Sequence, residues 1–333
     1  MKTTKPLLLV MHNFVGLGEM MVKNLQYLQV DADVLFYGDA TPFRYANLGQ
    51  KVKSFVLKKF FNNKNYKRNL QEQHRTESLM LSLSKLGTYE NILVINAEYF
   101  ETHFIAELSK HTENLTGYHW DGLKRNPEIA EKIALFSRFF VFDKADADEE
   151  KNIFFLPNFY FDYPEDYKKN HVNYDVLYIG TYMQERFSKL LAIRDSLRKI
   201  HLKSKILLIS FDKKISKQHS SEGIEFSSQI IDYPENLELV KQSKTLLDLK
   251  LKDHNGLSFR FFEALKYEKK IITDNESVMN YPFYRPENIF ILGLDPSSEL
   301  ERFISSPYEP ISESIRKEYS FSNWYYTITS ASL

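Results

Sequence analysis

Two segments of the chain share one grammar: an apolar run of strand length, a short turn containing glycine, then apolar residues at helical spacing. Leu7-Leu8-Leu9-Val10-Met11 runs into His12-Asn13-Phe14-Val15-Gly16-Leu17-Gly18 before Met20, Met21, Leu25 and Leu28. Asp175-Val176-Leu177-Tyr178-Ile179 runs into Gly180-Thr181-Tyr182, and a helix is predicted over 184–200 with apolar positions 187, 190, 191, 193 and 197. A strand that feeds a helix through a tight loop opens a β-α-β crossover, so each segment commits its neighbourhood to a parallel sheet.

The remaining periodicity fits that commitment. Strands are predicted over 32–37, 91–96, 115–120 and 139–142, with helices over 103–108 and 127–136. After the second start come strands over 206–209, 245–249 and 270–273, with helices over 236–243 and 259–265. The pattern breaks at 157–173 (PNFYFDYPEDYKKNHVN), where two prolines stand among polar residues. The expected fold class is therefore α/β: two Rossmann-like doubly wound domains, residues 1–160 and 174–310, joined by a linker over 161–173 and facing a cleft. A C-terminal helix within 311–333 is expected to pack back on the first domain. Ligands belong outside the carboxyl ends of the strands.

Composition narrows the function classes. At 333 residues the chain is long enough for two cores, and 43% hydrophobic with 26% charged residues is too apolar for disorder. Lys plus Arg and Asp plus Glu both total 44, so no whole-molecule field draws the chain to nucleic acid. The absence of cysteine excludes disulfides, a thiolate zinc site and a cysteine nucleophile, and suits a reducing, cytoplasmic compartment. No apolar run approaches the ~18 residues of a membrane span, so contact with a membrane is expected to be peripheral.

One segment does suggest such a surface. Residues 51–68 (KVKSFVLKKFFNNKNYKR) carry Lys51, Lys53, Lys58, Lys59, Lys64, Lys67 and Arg68, no acidic residue, and Phe55, Val56, Leu57, Phe60 and Phe61 among them. Basic residues interleaved with aromatics suit the cytoplasmic face of an inner membrane or a lipid-linked acceptor. The competing reading is a solvated lysine face over a buried aromatic face.

Several chemistries lack their signatures. G-x-G-x-x-G fails because Met21 stands where the third glycine is required, and no P-loop occurs. The nine histidines show no H-x-x-x-H or H-E-x-x-H spacing, no G-x-S-x-G elbow exists, and no metal is expected. The stretch 250–275 is richer. A strand ends in Lys252-Asp253-His254-Asn255-Gly256, Ser258 can cap the following helix, and Arg260 and Glu263 lie three residues apart on one helical face. Free N–H groups and Arg260 could meet phosphates there, and Glu263 could accept two ribose hydroxyls. In the first half, Asp121 follows Tyr118-His119-Trp120 at a strand end, where a carboxylate can take a proton from an attacking hydroxyl; helix capping is the alternative.

Three segments carry a family resemblance: 254–275 (HNGLSFRFFEALKYEKKIITDN), 117–160 (GYHWDGLKRNPEIAEKIALFSRFFVFDKADADEEKNIFFLPNFY) and 174–190 (YDVLYIGTYMQERFSKL). Together, in their order along the chain, they resemble bacterial glycosyltransferases of the two-Rossmann GT-B architecture that build lipopolysaccharide and capsule. The resemblance implies transfer of a sugar from a nucleotide-sugar donor to a glycan or lipid-linked acceptor. It implies that Gly180 and Thr181 approach the donor diphosphate, that His254, Asn255, Gly256, Leu257, Ser258 and Arg260 surround phosphates and sugar, and that Glu263 binds the ribose. Ser210 and Phe211 would lie by the base. Asn13, Gly16, Gly18 and Trp120 would belong to the acceptor side. Many retaining relatives carry Glu eight positions before the ribose Glu; here that residue is Asn255, so inversion is expected, with Asp121 as base and His12 as second candidate. Rival readings are a nucleotide-sugar epimerase and a non-catalytic nucleotide- or carbohydrate-binding protein.

Overall fold

A computed structural model describes residues 4–38, 42–63, 65–165, 172–219 and 223–330. The chain divides into two compact units: residues 1–14, 25–141 and 148–154 form one, and residues 15–24, 142–147 and 155–333 the other.

In the first unit the strands are β1 (Lys5–Met11), β2 (Ala32–Phe36), β3 (Tyr89–Ile95), β4 (Leu115–His119), β5 (Arg138–Val141) and β6 (Ile153–Phe155), in the sheet order β2-β1-β3-β4-β5-β6. β1 pairs in parallel with both β2 and β3, Leu9 standing opposite Val34 and Leu93. Leu7 to Met11 are fully buried, as expected of a central parallel strand covered on both faces. The helices are α1 (Leu17–Tyr27), whose residues 17–24 group with the second unit, then α2 (Leu48–Phe60), α3 (Asn65–Leu83), α4 (Thr102–Leu108) and α5 (Ala130–Ile133).

The second unit repeats the plan. Its strands are β7 (Tyr174–Thr181), β8 (Ser204–Ile209), β9 (Glu225–Ser227), β10 (Ser243–Asp248), β11 (Lys270–Thr273) and β12 (Ile289–Ile291), ordered β12-β11-β10-β7-β8-β9 with every pair parallel. Its helices are α6 (Gln184–Lys199), α7 (Lys213–Gln218), α8 (Tyr233–Lys241), α9 (Phe259–Tyr267), α10 (Leu300–Ser305), α11 (Glu313–Lys317) and α12 (Phe321–Thr329). Val176, Tyr178, Leu190, Leu197, Ile206, Leu247 and Ile272 build its core.

The strand order places the chemistry. β1 lies between β2 and β3, and β7 between β8 and β10, so the crossovers leave each central strand in opposite directions. A crevice opens at the carboxyl ends of such a strand and its neighbour. These ends present His12 and Asn96 in the first unit, and Gly180 and the loop after Asp248 in the second.

Local departures from the expected elements have identifiable causes. The helix expected over 127–136 is a 3₁₀ turn, Pro127–Ile129, and one α turn; Leu135 N–H and Phe136 N–H bond three residues back, so the segment closes in the tighter geometry. The helix expected from 236 starts at Tyr233, because Asp232 accepts Glu235 N–H at 2.9 Å and Pro234 suits the first turn. The C-terminal helix α12 groups with the second unit, where Phe321 and Trp324 pack on Phe159 at ring distances of 5.2 and 4.5 Å. The ring cluster at Phe159 and Phe161 supplies the apolar surface on which it packs. Of the expected linker, Asp162 and Glu165 are anchored within the second unit, Glu165 by Lys241 and Lys266 at 2.9 and 2.6 Å; residues 166–171 lie outside the described residues.

The segment 51–68 also departs. It is not one helix: α2 ends at Phe60, Asn62 takes a φ of 47°, and α3 begins at Asn65. The aromatic face is not buried, since Phe55, Phe60 and Phe61 are 59, 70 and 71% exposed. Ser54 is the buried residue of α2, receiving a hydrogen bond from Tyr45 Oη at 3.0 Å.

Candidate active site

In the second unit, a buried carboxylate organises the end of β10. Asp248 Oδ1 accepts hydrogen bonds from Ser258 Oγ at 2.7 Å and Arg260 Nη1 at 2.9 Å, and Arg260 Nη2 donates to the Ile179 carbonyl at 2.6 Å. The guanidinium also lies 5.4 Å from the Tyr178 ring centroid. Arg260 is thus pinned at the carboxyl end of β7, beside Gly180 and Thr181, with its side chain 23% exposed. Ser258 holds the N-cap position of α9 but makes no capping bond, because its hydroxyl serves Asp248.

The loop before α9 is tied down by groups distant in sequence. Asn255 N–H donates to Asp143 Oδ2 at 2.6 Å, the Asn255 carbonyl accepts from Ser277 Oγ at 2.6 Å and from Asn275 Nδ2 at 3.0 Å, and Lys250 Nζ reaches Asn255 Oδ1 at 3.2 Å. The His254 ring meets Phe142 edge to face at 5.2 Å. Gly256 is needed for close approach, since a Cβ there would stand 2.5 Å from Phe142 Cε2. Leu257 is 1% exposed and is a core residue, its carbonyl accepting from Asn158 Nδ2 at 3.0 Å. Ser210, at the end of β8, is buried, whereas Phe211 is 68% exposed.

Glu263 feels the Arg260 charge, as its spacing suggested, but takes its hydrogen-bond partners from α8. It is 5% exposed, and Asn236 Nδ2 of α8 points at its carboxylate at 3.5 Å, with the Tyr233 hydroxyl as a further partner. Burial pushes this carboxyl above its ordinary range, against the opposing pull of Arg260.

Residues that the sequence did not single out, Ser277, Tyr281, Phe155 and Tyr319 among them, join Asn255 and Gly256 in lining a cavity of about 340 Å³ in the same unit. Flat rings beside amides and hydroxyls can hold a sugar ring, whose faces are apolar and whose rim is polar. No local motif announces it, because its lining comes from five separated segments.

In the first unit, His12, Trp120 and Asp121 come together at the ends of β1 and β4 around a cavity of about 220 Å³, with Asn96, Glu98 and Tyr99 at the end of β3. A second cavity of about 200 Å³ is lined by His12, Tyr37, Phe43, Gln71, His74 and Arg75, so His12 faces both. Its ring stacks on Tyr99 at 4.9 Å, and its Nδ1 is buried with no hydrogen-bond partner among the described residues. Burial, aided by the Arg75 charge and opposed by Glu98, lowers its pKa from 6.5, so the neutral ring dominates at pH 7.

Asp121 is placed differently from a free base. Arg125 Nη1 donates to Oδ1 at 2.9 Å and to Oδ2 at 2.7 Å, and Gly122 N–H donates to Oδ1 at 2.9 Å. Beside it, Glu98 Oε2 lies 3.3 Å from Nδ1 of the fully buried His119, in an orientation that makes no hydrogen bond. Asn13 precedes a 3₁₀ turn, Gly16 takes a φ of 77°, and Gly18 sits in the first turn of α1; none of the three lines either cavity. Among the described residues, no group of three or more His, Asp or Glu side chains could hold a metal ion.

With this geometry established, comparison with known proteins adds one result. No protein-family model and no curated protein matches the chain. Solved structures do match: α,α-trehalose 6-phosphate synthase from Burkholderia multivorans superposes with a TM-score of 0.60 at 10% identity, covering 98% of this chain and 97% of that one. AviGT4, a glycosyltransferase involved in avilamycin A biosynthesis, gives 0.54 at 10% identity over 98% and 99%. Alr3699/HepE of Anabaena, in complex with UDP and glucose, gives 0.52 at 13% identity over 98% and 93%. The likeness is one of fold. Two six-stranded parallel sheets, each flanked by helices, give this chain the α/β architecture of the GT-B glycosyltransferases.

Proposed function

We propose that this protein is a glycosyltransferase that moves a sugar from a nucleotide-sugar donor to a hydroxyl of a growing surface glycan. The observation that carries the reading is the fixed guanidinium of Arg260, held by Asp248 and the Ile179 carbonyl where β7 and β10 part. A cation locked at that crevice, next to Gly180 and Thr181 at the end of β7 and to the N-terminus of α9, suits a diphosphate. The neighbour that holds UDP and glucose shares the fold, which supports the same donor class.

The chemistry follows from the two sites. The acceptor hydroxyl gives its proton to a base in the first unit and attacks the anomeric carbon; the bond to the departing nucleoside diphosphate breaks, and Arg260 balances the charge that develops on it. His12 is the better base. It is neutral at pH 7 and lines both cavities of the first unit, whereas both oxygens of Asp121 are taken by Arg125. A single displacement inverts the anomeric configuration, in keeping with Asn255 in place of a second glutamate. The scheme invokes no metal ion, so transfer is expected to persist in EDTA.

Thermal shift against nucleoside diphosphates and nucleotide sugars tests the donor site. A ligand at a hundred times its dissociation constant stabilises by about 2.7 kcal/mol. A shift with one base family that Arg260→Ala removes supports the reading, and no shift with any nucleotide rejects it. Donor consumption then separates the rivals: isomerised donor without acceptor indicates an epimerase, and donor bound but never consumed indicates a binding protein.

A further inference from the structure

Helix α2 is built the wrong way round for a helix that packs on a sheet. Leu48, Val52, Phe55, Val56 and Phe60 recur at i, i+4, i+7, i+8 and i+12, which is one continuous stripe. A stripe of this kind normally faces the core. Here it faces outward: Leu48 is 78% exposed, Val52 and Phe55 59% each, and Phe60 70%, while the residue turned inward is Ser54. Phe61, just past the helix, is 71% exposed and extends the stripe.

The flanks of this stripe are basic. Lys51, Lys53 and Lys58 are exposed, and no ion pair involves them, Lys59 or Lys67 among the described residues. Lys59 Nζ lies 5.4 Å from the Phe55 ring centroid and 5.9 Å from that of Phe60, so its stem runs along the apolar stripe. Residues 51–68 contain no acid to offset them.

We infer that α2 docks the protein on an anionic lipid surface, with its aromatic stripe in the acyl boundary and its lysines at the headgroups. Neither feature alone selects this occupant. An apolar stripe also fits a second copy of the chain, but Lys51, Lys53, Lys58 and Lys59, which flank it on α2, would then face their own copies and repel. An acidic soluble partner would satisfy the lysines and leave the phenylalanines without a purpose. A membrane interface of anionic lipid satisfies both at once, and lysine stems that lie over aromatic rings can extend their ammonium groups to the phosphates. No helix among the described residues is long and apolar enough to cross a membrane, so the contact is in the plane of the interface. This inference does not depend on the transfer reaction.

Flotation of the full chain with vesicles tests it. Vesicles of phosphatidylcholine and phosphatidylglycerol in equal parts should bind the protein, and vesicles of phosphatidylcholine alone should bind it far less. Each basic residue at the surface is worth about fivefold, so Lys51→Glu/Lys53→Glu/Lys58→Glu should weaken binding by about a hundredfold or more, and added salt should do likewise. Phe55→Ser/Phe60→Ser should weaken it about tenfold or more with all charges kept. Both variants alter exposed positions, and an unchanged thermal shift with nucleoside diphosphate shows that each is folded and that the donor site stands. No binding of the folded wild type to either vesicle would overturn the inference, as would equal binding by wild type and both variants. A wild-type dimer that does not float, and that Phe55→Ser/Phe60→Ser converts to monomer, would overturn it in favour of a second copy.

Discussion

Arg260 donates to Asp248 across 2.9 Å, and the carboxylate that receives it is 4% exposed. The pair costs desolvation and gains direction: Asp248 and the Ile179 carbonyl already hold the guanidinium in place, so little ordering remains to be done when a diphosphate arrives. Arg260→Ala should lower kcat/KM for donor turnover by about a hundredfold to a thousandfold, the range seen when one fixed donor to a developing anion is removed. Arg260→Lys should recover only a small part, because a single ammonium cannot bond both Asp248 and the Ile179 carbonyl in the fork geometry. Steady-state kinetics of nucleoside diphosphate release checks both, and full activity in the lysine variant would show that charge alone is needed.

The two candidate bases separate on pH. His12 has a pKa lowered from 6.5 by burial and by Arg75, so the protonated, inactive form accumulates only as pH falls below 6.5. The kcat/KM profile should therefore hold its plateau through pH 7 and fall on an acidic limb centred below 6.5. His12→Gln should lower activity by about a hundredfold to ten-thousandfold and remove that limb. The Asp121→Asn variant should retain more activity than His12→Gln. The reverse ranking would return the role to Asp121 and make its Arg125 bridge a device that opens during turnover.

The central strands and their parallel pairing were legible because a strand covered on both faces must be an unbroken apolar run, as Leu7 to Met11 and residues 175–179 are. The start of α8 was also written in Asp232-Tyr233-Pro234-Glu235, a capping signature that periodicity alone passes over. What periodicity cannot reveal is the direction a face turns. The stripe of α2 is plain in the sequence, and only the fold shows that it points to solvent. The same holds for Glu263: three residues from Arg260 puts it within reach of that charge, yet the sequence does not show that α8 supplies Tyr233 and Asn236 as its hydrogen-bond partners. Asp143 and Asn255 are 112 residues apart, so their 2.6 Å contact follows from topology and from no local motif.

Glu263 makes a prediction of its own. Its folded pKa is raised above 4.5, chiefly by burial, so folding favours the protonated carboxyl. The corresponding stability is fully present below pH 4.5 and is lost as pH rises through the folded pKa. Glu263→Gln keeps the shape and cannot ionise. Denaturant unfolding of both forms across pH should show the variant gaining on the wild type as pH rises from 4.5, with no gain below it. A variant that loses ground at neutral pH would mean that the ionised carboxylate is held by more than Asn236 and Tyr233.

Gly256 tests whether the loop before α9 has any slack. A Cβ there would stand 2.5 Å from Phe142 Cε2 and 2.7 Å from Cδ2, and Phe142 is itself buried at 2% exposure with no room to withdraw. Gly256→Ala should therefore cost about 1–3 kcal/mol by overpacking, a fall of several degrees in melting temperature. The added methyl also pushes against the Asn255 N–H bond to Asp143, which shapes the loop beside Arg260, so donor affinity should fall along with stability. Phe142→Leu removes the ring edge that the methyl meets. The double variant should then be more stable than the sum of the two single changes allows, the signature of a direct contact. Additive losses in melting temperature, with donor affinity unchanged throughout, would show that the loop yields without disturbing the site.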